Sequence, residues 1–486
     1  MIEYKFKICK KEITVNTDRK SLIRMGVILF LYLLFLIWVR SWMGLIVVPF
    51  IVDNYTTHLV KWKWWKKSQN KTYRKIMSWV DAIVFALVAV YFVHLYLFQN
   101  YVIPTSSLEK TLLVGDYLFV SKVNYGPRKP QTPLSMPLTQ HTMPVLGCKS
   151  YIDAIQWDYE RVAGFEDVER GDIVVFNYPA GDVATTNPDV IDVHAMCYAY
   201  GMELNPQLHG IDTMSAATAY PLYKKIYKDG MKCIESYPEQ FGEIVYRPVD
   251  RRENYVKRCI GLPGDSLEII DKQVYINGKI TPLPKNAQFN YNVQLKRKMS
   301  EELRCELGIS QDDLASLYSY GQLPLTKENY QKLKANTALV KSISIVDNNT
   351  TQGIYPSNGN TGWSNDNYGP IWIPKKGASV GLTLDNLAIY ERPIVAYEGN
   401  KLEVKNGNIY INGKVADSYT FKMDYYWMMG DNRDRSADSR YWGFVPEDHV
   451  VGTPIWVLIS FDEERSLFDG KIRWDRIFKD ANPDKK

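Results

Sequence analysis

Read as a succession of apolar and polar positions, the chain divides into two unlike parts. Near the N-terminus lie two long stretches with almost no polar interruption, 25–52, broken by Arg40, and 76–98. About 20 consecutive apolar residues suffice to cross the roughly 30 Å hydrocarbon core of a bilayer. The second stretch is therefore predicted to be a transmembrane helix. The first admits two readings, a single tilted span or a hairpin turning near Arg40. The basic residues of 1–24 favour the hairpin, because basic flanks stay cytoplasmic; the shortness of its second arm opposes it. Neither stretch reads as a cleavable signal, since the first is too long and lacks a small-residue cleavage site.

Beyond Asn100 the pattern shortens. Runs such as 117–120, 172–176 and 455–459 are rich in β-branched and aromatic residues and bounded by Gly, Pro or Asp, which reads as strand. One unit occurs twice: Leu267-Glu268-Ile269 with 274–279 resembles Leu402-Glu403-Val404 with 409–414, each copy ending in Asn-Gly-Lys. Asn-Gly between alternating apolar positions signals a tight β-hairpin turn. Between the copies, 300–307, 310–317 and 326–335 carry helix-like starts and are followed by a Gly/Asn/Ser-rich loop at 356–369. The predicted fold class is a mainly β body with inserted subdomains, preceded by N-terminal transmembrane helices. Its expected parts are a basic segment 1–24, a first membrane segment 25–52, a basic loop 53–75 and a transmembrane helix 76–98. The β body comprises 99–283 and 401–486, with an insertion at about 180–250 and an inserted subdomain at 284–400.

Charge sharpens the division. The formal net charge is +5, yet residues 1–75 hold fifteen Lys/Arg against four Asp/Glu, and the rest of the chain forty-four against fifty. The basicity is local, which argues against nucleic acid as a partner of the main body. The loop 61–67 reads Lys-Trp-Lys-Trp-Trp-Lys-Lys, placing cations among headgroups and indoles at the boundary, as a cytoplasmic membrane interface favours. That orientation puts everything after Asn100 outside the cytoplasm. The six cysteines (9, 148, 197, 233, 259, 305) show no metal-binding spacing, although one or two disulfides are open to the five beyond Asn100. The histidines are scattered without His-Glu-x-x-His, so a zinc protease has no support and no metal is expected.

Three segments carry candidate chemistry. Residues 103–116 place Thr105, Ser106 and Ser107 a few positions beyond the second apolar stretch. Residues 254–265 join a short strand to a Pro-Gly-Asp turn, with Tyr255, Lys257 and Cys259 on one face and Val256, Arg258 and Ile260 on the other. Alternation alone leaves open which face is buried, but a general base on this strand can only be Lys257, since arginine does not deprotonate in proteins. Residues 428–446 alternate Asp and Arg without a hydrophobic period, a loop rich enough in both signs to pair internally. Taken singly, these are an ordinary turn, a surface lysine and a solvated loop.

Taken together, in this order, they resemble bacterial type I signal peptidases (leader peptidases), the family of serine–lysine dyad proteases. The stretch 430–443 matches the family loop Gly-Asp-Asn-Arg-Asp-x-Ser-x-Asp-Ser-Arg almost completely, and 169–176 matches a family strand that lines the peptide-binding cleft. The nucleophile segment departs further: Thr105-Ser106-Ser107-Leu108-Glu109-Lys110-Thr111-Leu112 stands where the family has Ser-Gly-Ser-Met-x-Pro-Thr-Leu. Ser106 for Gly and Lys110 for Pro bear on the conformation of that turn.

The resemblance implies Ser107 as nucleophile and Lys257 as general base, with the Ser107 N–H and the Thr105 hydroxyl forming the oxyanion hole. It further implies that Ser436 orients the Lys257 amine, that Asp438 and Arg440 pair to hold the loop, and that Asp431 neutralises Arg258. Implied substrates are exported preproteins with cleavable signal peptides, met at the lipid surface of a bacterial inner membrane by a multi-pass enzyme whose catalytic domain lies on the extracytoplasmic side. The mechanism needs no cofactor. Two other readings share some of these residues. Ser107-Leu108-Glu109-Lys110 fits the Ser-x-x-Lys signature of penicillin-binding acyltransferases, although Lys-Thr-Gly is absent and Lys-Lys-Gly at 375–377 is the nearest approach. A catalytically inactive, membrane-tethered scaffold is the other.

Overall fold

The computed structural model describes residues 2–8, 11–17, 19–187, 189–359, 361–466 and 468–485, with side chains from residue 19 onward. After a two-stranded N-terminal hairpin come helix α1 (Arg19–Val39), a 3-10 turn at Met43–Val47, α2 (Val48–Tyr55) and α3 (Lys71–Tyr96). Helices α1 and α3 are long and apolar enough to cross a membrane. The apolar stretch 25–52 is not one continuous helix. Arg40, at φ 51°, ends α1, and the chain folds back so that the Tyr32 hydroxyl donates to the Gly44 carbonyl at 2.8 Å. The left-handed backbone at Arg40 breaks the helical path there. Asn70 caps α3, its side chain accepting from the N–H groups of Thr72 and Tyr73.

The C-terminal ends of α1 and α3 meet. Phe35 packs edge-on against Tyr96 at 5.4 Å, and Val39 and Tyr96 share a small buried cluster with Val162. The Trp38 indole N–H donates to Ala163 O at 3.3 Å, so both helices end against the β body.

That body is organised on a seven-stranded antiparallel sheet. Its strands in chain order are β1 (Phe98–Val102), β2 (Asp116–Ser121), β3 (Ile173–Asn177), β4 (Asn254–Gly261), β5 (Tyr425–Met429), β6 (Val445–Pro446) and β7 (Val450–Ser460). In space they run β6-β5-β4-β3-β7-β2-β1. Strand β4 is central and is covered on both faces from Lys257 onward. Val256 packs with Ile173 and Val175, Cys259 with Val174 and Met428, and Ile260 with the largest core cluster. The sequence left the buried face of this strand open because both faces are buried.

The repeated unit forms two similar three-stranded meanders. In one, Leu267 pairs with Ile276; in the other, Leu402 pairs with Ile411. Asn277 and Gly278 (φ 52° and 75°) and Asn412 and Gly413 (φ 52° and 82°) both take left-handed conformations, the geometry a tight hairpin turn requires. The region 180–250, which shows no clear period in sequence, contains two packed helices, α4 (Val193–Glu203) and α5 (Ala216–Ser236). The region 284–400 has two characters. Residues up to about 345 build a three-stranded sheet with three helices around their own core of Tyr291, Leu323, Leu325 and Leu333. The remainder joins the main core through Tyr355, Ile371, Leu387 and Ile394, and strand Tyr368–Trp372 pairs directly with the first meander. All five described cysteines are free, with Cys197 and Cys259 buried; Cys9 lies outside the described residues.

Candidate active site

The turn that carries Ser107 is fixed from both ends. At its start, Ile103 N–H donates to Asp116 O and Gly115 N–H returns to Ile103 O, closing the β1–β2 connection. Thr105 is extended and caps a single 3-10 turn, Ser106–Leu108, while Leu108 and Leu112 anchor the turn in the core. The N–H groups that open such a turn have no acceptor within it, which leaves the Ser107 amide suited to receive an anion.

Lys257 reaches this turn from the middle of β4. Its Nζ donates to Ser107 Oγ at 2.8 Å and to Val256 O at 3.1 Å, and these are its hydrogen-bond partners among the described residues. The ammonium lies 5.5 Å from the centre of the Tyr255 ring. Ser107 and Lys257 are both buried, at 6% and 3% exposure. Burial brings the Lys257 pKa down to about 8; Asp438 and Asp431 act in the opposite direction but do not offset it. The Thr105 hydroxyl donates to Ser107 Oγ at 3.4 Å.

The Asp/Arg loop at 430–443 forms the wall behind this pair. Arg258, pointing from β4 opposite to Lys257, makes a two-pronged contact with Asp431 at 2.8 and 2.7 Å. Arg440 does the same with Asp438 at 2.9 and 2.8 Å, and Gly430 N–H donates to Asp438 as well. These carboxylates are held by arginines, and among the described residues Lys257 makes no ion pair. Gly430 is needed for close approach: a Cβ there would stand 2.7 Å from Ser107 O and 2.2 Å from Ser436 Oγ. Ser436 thus lies against the nucleophile turn, but its expected bond to the Lys257 amine is not made. Its hydroxyl donates to Ala437 O at 3.4 Å, and Lys257 Nζ donates to Ser107 and Val256 instead.

Other residues of the site were not singled out from sequence. Asn432 N–H donates to Ser107 O at 3.0 Å and its side-chain amide to Ser106 O, tying the charged loop to the nucleophile turn. Thr111 donates to Asp431 Oδ2 at 2.8 Å, and Asn482 accepts from Arg258 at 3.2 Å. Asn432 and Thr111 stand inside the motifs already quoted; nothing local marks Asn482, which arrives from the far end of the chain. Lys110 has φ 71°, and its ammonium bonds the carbonyls of Leu307 and Gly308 in the inserted region, away from Ser107. Arg435 makes a second link to that region, donating to Asp313 at 2.6 Å and to Ser316 at 2.9 Å. Among the described residues, no group of three or more His, Cys, Asp or Glu is placed to hold a metal ion.

Comparison with known proteins gives one family. The family model described as signal peptidase, peptidase S26, matches residues 76–317 and 416–459. The chain is 21% identical over 444 residues to signal peptidase I of Buchnera aphidicola subsp. Acyrthosiphon pisum, covering 90% of this chain and 91% of that protein. It is 22% identical over 413 residues to signal peptidase I of Haemophilus influenzae, covering 85% and 78%. Similarity rises to 53% over a 36-residue segment shared with signal peptidase I of Aquifex aeolicus, which is 7% of this chain and 14% of that one.

Proposed function

The chain belongs to the signal peptidase family, peptidase S26, and from that premise we propose that it is a signal peptidase I that removes N-terminal signal peptides from exported preproteins, with Ser107 as nucleophile and Lys257 as general base. The observation that carries the assignment is the 2.8 Å contact between Lys257 Nζ and Ser107 Oγ, made by a buried lysine that forms no ion pair among the described residues. An alcohol is a weak nucleophile until a base removes its proton, and a lysine serves as that base once desolvation brings its pKa near the working pH.

In the first step, neutral Lys257 takes the Ser107 proton as Oγ attacks the scissile carbonyl. The resulting oxyanion is received by the Ser107 N–H and the Thr105 hydroxyl, donors worth about 10²–10³ in rate at such positions. The C–N bond then breaks, the Lys257 ammonium returns its proton to the leaving amine, and an ester to Ser107 remains. Neutral Lys257 next takes a proton from water as that water attacks the ester carbonyl, and the Lys257 ammonium returns a proton to Ser107 Oγ as the ester C–O bond breaks, freeing the acid product and restoring the neutral lysine. Asp431 and Arg258, Asp438 and Arg440, and Asn432 act as positioning residues that hold the turn and the loop in register. Ser436 packs against the turn, and the family resemblance gives it the role of orienting the Lys257 amine. No step uses a metal or organic cofactor.

The Lys/Trp-rich loop before α3 faces the cytoplasm and the β body lies on the other side of the membrane, so that the site meets a preprotein whose own apolar segment lies in the same bilayer. Purified full-length protein in detergent, incubated with a preprotein, tests the assignment through the N-terminus of the product. Lys257→Arg should abolish cleavage while leaving the fold intact, because arginine has no accessible neutral form. Lys110→Ala should retain most activity, since the Lys110 ammonium is bound elsewhere. The opposite pattern would assign the base to a Ser-x-x-Lys arrangement.

A further inference from the structure

A cavity of about 460 Å³ lies between the last turns of α3, strands β1 and β2, the 129–140 loop and the start of β4. Its lining is rich in cations, four against one carboxylate. Lys122 makes no side-chain hydrogen bond among the described residues, and burial, with Arg128 and Arg251 nearby, pushes its pKa down to about 7. Arg128 donates to the Asp448 carbonyl and to Asn177, and Arg251 to Thr132 and to Gln140 O, all neutral acceptors. Lys129 also lines the cavity but is paired with Glu160. The one carboxylate in the lining, Asp250, lies 3.9 Å from Arg251 and accepts from Thr132. The balance is positive, and the rim is apolar: Met136 and Leu138 are 44% and 64% exposed.

The position of the cavity says what would enter it. Helix α3 starts among Lys71, Arg74 and Lys75, and His94 lines the cavity at its other end. At 1.5 Å per residue, His94 lies about 30 Å from Arg74, one hydrocarbon thickness away and therefore at the opposite headgroup layer. A desolvated cationic floor beneath an apolar rim at that depth matches a phosphate attached to acyl chains better than a free anion. We propose that this cavity binds the headgroup of an anionic phospholipid, with Lys122 facing the phosphate and Met136 and Leu138 against the glycerol and upper acyl chains. The proposal requires that α3 cross the bilayer and does not depend on the dyad assignment.

Native mass spectrometry of the full-length protein, released from micelles that mix phosphatidylcholine with phosphatidylglycerol, reads the site directly. The unaltered protein should retain one phosphatidylglycerol in preference to phosphatidylcholine. Lys122→Met should reduce that retention about tenfold, the worth of one charged hydrogen bond, and Lys122→Arg should restore it. Leu138→Asp puts a carboxylate on the rim at an exposed residue whose φ of 62° suits aspartate better than leucine, so it decides the matter should Lys122→Met not fold; it should lose the lipid as well. Equal retention by all variants would overturn the proposal. Full displacement by inorganic phosphate would make this a free-anion site instead. Unchanged lipid retention with altered kcat/KM only for preproteins bearing an acidic residue before the cut would make it a substrate subsite, and either result would sink the lipid assignment.

Discussion

Lys257 shows how a single side chain is tuned. A lysine ordinarily titrates near 10.4 and is almost wholly protonated at neutral pH. Desolvation brings this one to about 8, leaving a usable neutral fraction. With Lys257 as the proposed general base, the neutral amine is the active form, so kcat/KM should rise about tenfold per pH unit on the acid side and level off above about 8. A pH–rate profile on a preprotein checks this, and a limb near 10 would show that the lysine is solvated during catalysis. Lys110 is a second case. It stands where the resembling family has proline, yet its φ of 71° lies far from the −65° to which a proline ring is locked. Lys110→Pro should therefore slow single-turnover acylation by at least about tenfold, whereas Lys110→Gly, which keeps the left-handed backbone, should stay within a few-fold.

At the scale of elements, the nucleophile turn and the charged loop function as one unit. The loop reaches the turn through Asn432, and β4 reaches the loop through Arg258 and Asp431. Asp431 is fully buried and also accepts from Thr111, four residues after the nucleophile. Asp431→Ala would leave Arg258, among the described residues, with the half-exposed Asp484 as its ion-pair partner and should cost about 3–5 kcal/mol, read from thermal or denaturant unfolding. The same variant should lower kcat more than it raises KM, because it loosens the turn and not the cleft. Lys110 and Arg435 extend this unit into the inserted region, so the first half of 284–400 braces the catalytic turns from behind.

For the whole molecule, the membrane helices and the body constrain one another. The C-terminal ends of α1 and α3 meet at the body, and Lys129 Nζ contacts Arg40 O at the turn between α1 and the folded-back arm. On the proposed topology, two helices that both point outward require the segment from 43 to 70 to return inward, with the N-terminus and the Lys/Trp loop in the cytoplasm. A cysteine replacing Trp42, which is 83% exposed, should react with an impermeant thiol reagent added outside intact cells. A cysteine within 66–70 should react only after the membrane is opened. Labelling of the second and protection of the first would reverse the topology.

What the sequence determined by itself is what contiguous residues can encode. Apolar length gave the two membrane-length helices, Asn-Gly gave the paired hairpin turns, and three short motifs gave, by resemblance, the residues proposed for catalysis. Folding decided whatever depends on groups distant in the chain. Ser107 and Lys257, 150 positions apart, meet because β4 lies in the middle of a sheet whose first strand leads into the nucleophile turn. The lysine is desolvated because strands and loops from four regions close over both faces of β4, and no local pattern encodes that. The same reason hid the division of 284–400: Tyr355 and Ile371 look like any apolar positions in an insertion until the main core closes around them. Nor could composition foretell that Ser436 would face Ala437, or that Lys122 would make no side-chain hydrogen bond among the described residues, since a hydrogen bond is settled by which acceptor tertiary packing brings within about 3 Å.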